Sequence, residues 1–169
     1  AHNIIYISSY YAVIHNCIFE NNEVITNPLN HGAIIYVREH SAHAVLSQCS
    51  FRNNYTYVGG DKGSIIKMFW GELTMVNCTL ANNFHLYPME IDYSRITVDN
   101  CTFDNNVSRS AIINLVGCSN SRISRSRFTN NRVPDGMGTI HIETTDVVIG
   151  GESDSGNYFS CNRTDTTYD

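Results

Sequence analysis

Charge is scarce in this chain. Only 16% of its 169 residues are Asp, Glu, Lys or Arg, against roughly a quarter in ordinary soluble domains. The 11 Lys and Arg are scattered and the formal net charge is −5. With no basic stripe to neutralise phosphates, nucleic acid is not an expected partner. No apolar run approaches the 18 or so residues that a membrane-spanning helix needs. CxxC pairs and Cys/His clusters are missing, which leaves no zinc signature, and no dense group of Asp offers a calcium loop. No metal and no cofactor are therefore expected. Six cysteines are too few for a disulfide scaffold at this length, although the even number permits pairing. The chain begins Ala-His-Asn, with neither an initiator Met nor a signal peptide, and reads as a mature product or a fragment.

What is abundant is Asn, Ser and Thr over an apolar fraction of 42%, enough to bury a core rather than stay disordered. An internal repeat organises them. The segments "NCIFENN" (16–22), "QCSFRNN" (48–54), "NCTLANN" (77–83), "NCTFDNN" (100–106) and "RSRFTNN" (125–131) align, followed by a degenerate "NYFSCN" (157–162). The anchors Phe19, Phe51, Leu80, Phe103, Phe128 and Phe159 are 23 to 32 residues apart. Such a variable period indicates a solenoid whose loops vary while its strands do not.

Each unit reads as strands. Two residues before the anchor stand Cys17, Cys49, Cys78 and Cys101, the same-face spacing of a strand. Five residues before it stand Ile14, Leu46, Met75, Val98 and Ile123. That odd spacing requires a corner between the two sets, at His15-Asn16, Ser47-Gln48, Val76-Asn77, Asp99-Asn100 and Ser124-Arg125. A further apolar strand follows each Asn pair, as in "GAIIYV" (32–37), "GSIIKM" (63–68) and "SAIINL" (110–115). About three short strands per turn and no convincing helix define an all-β, parallel β-helix of about six coils, a single domain over 1–169. Like then stacks on like, about 4.8 Å apart. The Phe and Cys sets become core ladders. Asn22, Asn54, Asn83, Asn106 and Asn131 become an Asn ladder at a bend, where Asn tolerates left-handed backbone and its amide can bond to its neighbour.

"HGAI", "KGSI" and "SAII" paired with "CxFxNN" resemble the repeats of right-handed parallel β-helices of the pectin-lyase-like superfamily, and more closely those of polymorphic outer-membrane proteins. The resemblance spans nearly the whole chain. It implies a right-handed coil, a scaffold that adhesins, enzymes and fibres all use.

Several chemical signals are laid over that frame. Asn54, Asn77, Asn100, Asn106 and Asn162 fit the N-glycosylation sequon, although five barely exceed what so Asn- and Thr-rich a composition produces by chance. All five are expected outside the core. The Cys column reads as a reduced, buried ladder, because parallel side chains hold Cβ atoms farther apart than a bridge prefers. Cys118 and Cys161 lie outside it, with their pairing open. His40 with His43, and His141 with Glu143, lack a third convergent ligand. The resemblance brings an enzymatic alternative, but "NHGA" (30–33) and "SRIT" (94–97) only brush against polygalacturonase motifs and the acidic pair is missing. Glu90, Asp92 and Arg95, and Asp61 with Lys62, read as solvated surface, so no catalytic residue is assigned. Tyr36, Lys67 and Tyr93 are candidates for an outward row that sugars could stack on.

Neither "NIIYI" at the start nor "CNRTDTTYD" at the end offers a cap. The chain is expected to be a segment of a longer solenoid, or to stack head-to-tail on its own copies. The expectation is an extracellular or cell-surface structural β-helix glycoprotein, with an adhesin-type binding module as the alternative.

Overall fold

The computed structural model describes residues 3–26, 32–58, 63–85, 87–134, 137–143, 146–151 and 156–165. Among them every strand pairing is parallel, and each strand pairs with its counterpart one repeat away in sequence. The chain therefore winds, each turn lying against the one before.

Each turn has four straight legs rather than three. The first comprises Ile5–Ile7, Gly32–Arg38, the start of Gly63–Val76, the start of Tyr87–Asp99, Ile113–Val116 and Ile140–Glu143. The second comprises Tyr11–His15, His43–Ser47, the ends of those two long strands, Ser121–Ser124 and Val147–Ile149. In the third and fourth turns one strand runs through the bend, so the first two legs form a single 10-stranded sheet. The third leg holds the Phe anchors, from Ile18–Glu20 to Tyr158–Ser160, and the fourth runs from Glu23–Thr26 to Arg163–Asp165; each is a 6-stranded sheet. The three-strand expectation missed the extra bend because both legs are apolar and the bend carries no repeated Asn: Asn120, in the fifth turn, is the one Asn between them among the described residues.

Backbone geometry accounts for the corner residues. Asn16, Gln48, Asn77, Asn100 and Arg125 have φ between 48° and 55°, the left-handed region in which Asn is enriched. The first member of each Asn pair does the same, with Asn21, Asn53, Asn82, Asn105 and Asn130 at 50° to 55°. Both corners bend the chain by one left-handed residue, which lets Leu46, Met75, Val98 and Ile123 share the interior with the Phe column.

Inside, the columns form as the repeat requires. Phe51, Leu80, Phe103 and Phe128 are fully buried, and Phe19 is half-buried at the edge of the core. Phe19 stacks on Phe51 with ring centroids 4.7 Å apart and planes 3° from parallel. Phe103 on Phe128 gives 4.7 Å and 1°. Fully burying such side chains contributes about 1.5–3 kcal/mol each.

Candidate functional site

The Asn ladder explains why the second Asn of each pair recurs. Its backbone does not turn; its side chain points inward and bonds along the coil axis. Asn54 Nδ2 donates to Asn83 Oδ1 (3.0 Å) and to the Phe19 carbonyl (2.9 Å). Asn83 Oδ1 also accepts the Asn54 backbone N–H at 3.0 Å. The same bonds recur from Asn83 to Asn106, from Asn106 to Asn131 and from Asn131 to Asn162. Asn22 enters through its N–H and Nδ2, both donating to Asn54 Oδ1. Every buried amide is thereby satisfied, which a dry interior demands.

This ladder corrects the placement of three sequons. Asn54 and Asn106 are 1% and 0% exposed, not outside the core. Their Nδ2, the atom a glycan would take, is bonded within the stack. Asn162 is half-buried and its Nδ2 donates to the Phe128 carbonyl at 2.8 Å. Asn77 and Asn100, at the other corner, are exposed, and Asn100 Nδ2 donates to Asn77 Oδ1 at 2.7 Å.

The Cys column is a second bonding ladder. Cys17, Cys49, Cys78 and Cys101 all carry free thiols. Cys49, Cys78 and Cys101 Sγ donate to the carbonyls of Ile14, Leu46 and Met75 in the preceding turn, at 3.4 to 3.6 Å. Ser126 and Asn157 continue the column, accepting the N–H groups of Cys101 and Ser126. Burial pushes the Cys49 and Cys118 thiols up. Cys101 is pushed up too, by the Cys78 thiol stacked on it and by burial.

Of the residues weighed for chemistry, Lys67 and Glu90 prove to be partners. They oppose each other across adjacent turns, with Nζ and Oε2 2.5 Å apart and both side chains buried. Ser64 Oγ donates to the same carboxylate oxygen at 3.1 Å. Tyr36 is buried as well, edge-on to Tyr6. Tyr36 and Lys67 are therefore not the exposed row that the sequence suggested, and Glu90 is not solvated. Asp61 and Lys62, with Asn30 and His31 of "NHGA", lie outside the described residues. His141 and Glu143 approach to 3.9 Å, and among the described residues no three His, Cys, Asp or Glu converge. No helix among the described residues is long and apolar enough to cross a membrane.

An aromatic row does exist at the bend between the first two legs, exposed at Tyr10, His40 and Tyr93 and half-buried at Trp70. Tyr10, His40, Trp70 and Tyr93 occupy it in four successive turns, and Gly117 follows. His40 stacks on Trp70 with centroids 4.0 Å apart and planes 18° from parallel. Phe69 braces both Trp70 and Tyr93. Trp70 and Tyr93 have φ of 61° and 49°, outliers for bulky residues that store on the order of 1–3 kcal/mol each. Gly71 cannot be replaced without cost, since a Cβ would sit 2.5 Å from the Ala42 carbonyl oxygen. A Cβ at Gly117 would sit 2.6 Å from the Tyr93 ring, so that ring lies against backbone.

Beside this row runs an open groove along the axis. One hollow of about 140 Å³ lies between Tyr10 and His40. A second, about 440 Å³, extends from His40 past Glu72, Tyr93 and Arg95 to Asn120. A third, about 680 Å³, continues from Arg95 and Asn120 to Asp146. Shared walls join them: His40, Ser41 and Ala42 between the first two, Arg95 and Asn120 between the last two. The sequence carried a signal for this row, because its members recur with the period of the Phe anchors.

Residues 1–164 match the family model described as "right handed beta helix region", and the chain belongs to that family. The match makes this a right-handed parallel β-helix. A comparison with curated proteins found no match.

Proposed function

We propose that this chain is a non-catalytic, extracellular β-helix segment that forms a rigid rod in a cell-surface protein or a head-to-tail fibre. The observation that supports it is the directional Asn ladder. Each Asn accepts bonds from the turn before and donates to the turn after. The face at Asn22 thus offers an acceptor, and the face at Asn162 offers donors. Further turns of a longer chain, or a second copy, continue the pattern on either face. Glu90 as a structural ion partner weighs against catalysis. The likeness to polymorphic outer-membrane repeats favours the cell surface over the pectin-lyase enzymes.

N-glycans in this reading belong at the exposed Asn77–Asn100 corner. Glycopeptide mass spectrometry after secretion from a glycosylating host tests it: modification at Asn77 or Asn100 is expected, with Asn54 and Asn106 bare. Electron cryomicroscopy of the untreated native protein tests the rod. Isolated short particles with no coil stacked on either face would overturn it.

A second reading, an adhesin-type binding module, is favoured by the groove, because strained aromatic corners are kept where the surrounding structure over-determines them.

A further inference from the structure

We propose that the Cys column binds soft, two-coordinate cations of the Hg(II) and Cu(I) class, each held in line between the thiolates of two successive turns. The inference concerns the interior and is independent of what the outer surface does.

Spacing is the first support. Cys17, Cys49, Cys78 and Cys101 each donate Sγ–H to the carbonyl two residues back, at 3.3 to 3.4 Å. One side-chain geometry therefore recurs in four successive turns, and sulfur stacks on sulfur at the spacing of the turns. The Phe column, two residues further along the same strands, measures that spacing: Phe19 on Phe51 and Phe103 on Phe128 are each 4.7 Å apart. A bond from a filled-shell metal to a thiolate is about 2.3 Å long, so a straight sulfur–metal–sulfur unit spans about 4.6 Å. It fits the gap without moving either turn. The Cβ–Sγ bonds cross the axis while the metal bonds run along it, which gives each sulfur the bent geometry it prefers.

The donor set is the second. Among the described residues no three His, Cys, Asp or Glu converge, so neither the tetrahedral shell of zinc nor the oxygen shell of calcium can form here. A pair of thiolates with no third donor selects a soft ion instead. Cys78 N–H donates to Cys101 Sγ at 3.4 Å, and such a bond strengthens when the sulfur becomes a charged thiolate. Beyond Cys101 the column continues as Ser126 and Asn157, so its soft stretch ends there.

Charge and number follow. Each ion displaces two thiol protons to solvent. Hg(II) with two thiolates is neutral, which suits a dry core, whereas Cu(I) leaves one negative charge and is held less tightly. A sulfur with in-line metals on both sides would have to be straight. Ions therefore occupy alternate gaps, Cys17–Cys49 and Cys78–Cys101, which makes two ions for the four column thiols.

The test uses the full chain carrying Cys161→Ser, which removes the exposed thiol. The chain is refolded from urea with Hg(II), Cu(I) or Zn(II), dialysed against a large excess of glutathione, and its retained ions are counted by native mass spectrometry. Two Hg(II) ions and no Zn(II) are expected, with Cu(I) lost at lower glutathione than Hg(II). X-ray absorption at the mercury edge should show two sulfurs and no third neighbour. Cys78→Ser and Cys49→Ser should each lower the count to one. Ser already fills the column at Ser126, so both variants should keep the coil, and circular dichroism checks that they do. Cys118→Ser, outside the column, should leave the count at two. Any other Hg(II) count, a count that ignores both column variants or falls with Cys118→Ser, a third sulfur neighbour, or retention of Zn(II) would each overturn the site.

Discussion

Removing one rung of the Asn ladder should cost more than its polar surface suggests. In Asn83→Ala, the Asn54 backbone N–H loses its acceptor, and the Asn54 amide loses the same oxygen. The Phe51 carbonyl loses the Asn83 Nδ2 donor, which lies 2.9 Å away. The rung is 1% exposed, so bulk water does not replace these bonds. A stranded buried N–H costs about 1–3 kcal/mol, and each further lost bond about 0.5–1.5 kcal/mol. The expected destabilisation is about 3–5 kcal/mol, a large share of a typical domain's 5–15 kcal/mol. Urea unfolding at fixed pH, with unchanged m-value, measures it. The neighbour Asn82 is the control: it is exposed and left-handed, so Asn82→Gly should be neutral within about 0.5 kcal/mol. A loss below about 1 kcal/mol for Asn83→Ala would refute the argument that the ladder satisfies backbone groups no other partner reaches.

Phe103→Ala should cost about 3–5 kcal/mol by opening the ring stack, whereas Phe103→Leu should cost far less, since Leu80 already occupies the column one turn away; equal losses in chemical denaturation would be inconsistent with stacking. Glu90→Ala breaks a buried ion pair and should cost about 3–5 kcal/mol, so a melting curve must accompany any activity assay on that variant; an unchanged curve would mean Lys67 does not depend on Glu90. A thiol reagent should label exposed Cys161 fastest and all six cysteines only after unfolding; a native disulfide in the column would contradict the reduced ladder. Burial holds Cys49 and Cys118 above the usual 9.0. Above that pH the unfolded chain gives up these protons first, so stability should fall as the pH rises past it. Cys118→Ser should flatten the loss of melting temperature between pH 9 and 10, and a parallel profile would count against it.

The core was legible in the sequence because stacking copies one turn's chemistry onto the next. Phe19, Phe51, Leu80, Phe103 and Phe128, the four column cysteines and the five corner residues all follow from one alignment. The same alignment hid the difference between the two Asn of each pair. The first turns the chain in solvent and the second bonds in the interior, and residue type alone does not separate them. Hence Asn54 and Asn106 were placed on the wrong side of the wall. The Lys67–Glu90 pair was invisible for another reason: its members come from different turns and meet only through register. The bend at Trp70 and Tyr93 was missed because aromatic residues are poor predictors of left-handed backbone.

The parallel pairing has a mechanical consequence. Bonds between turns, backbone and Asn ladder alike, lie along the axis of the rod. A pull along that axis loads the turns one after another and peels them like a zip. A pull along a strand must shear a whole turn's bonds at once. Such a coil is weak against axial peeling and strong against tugging at a side loop.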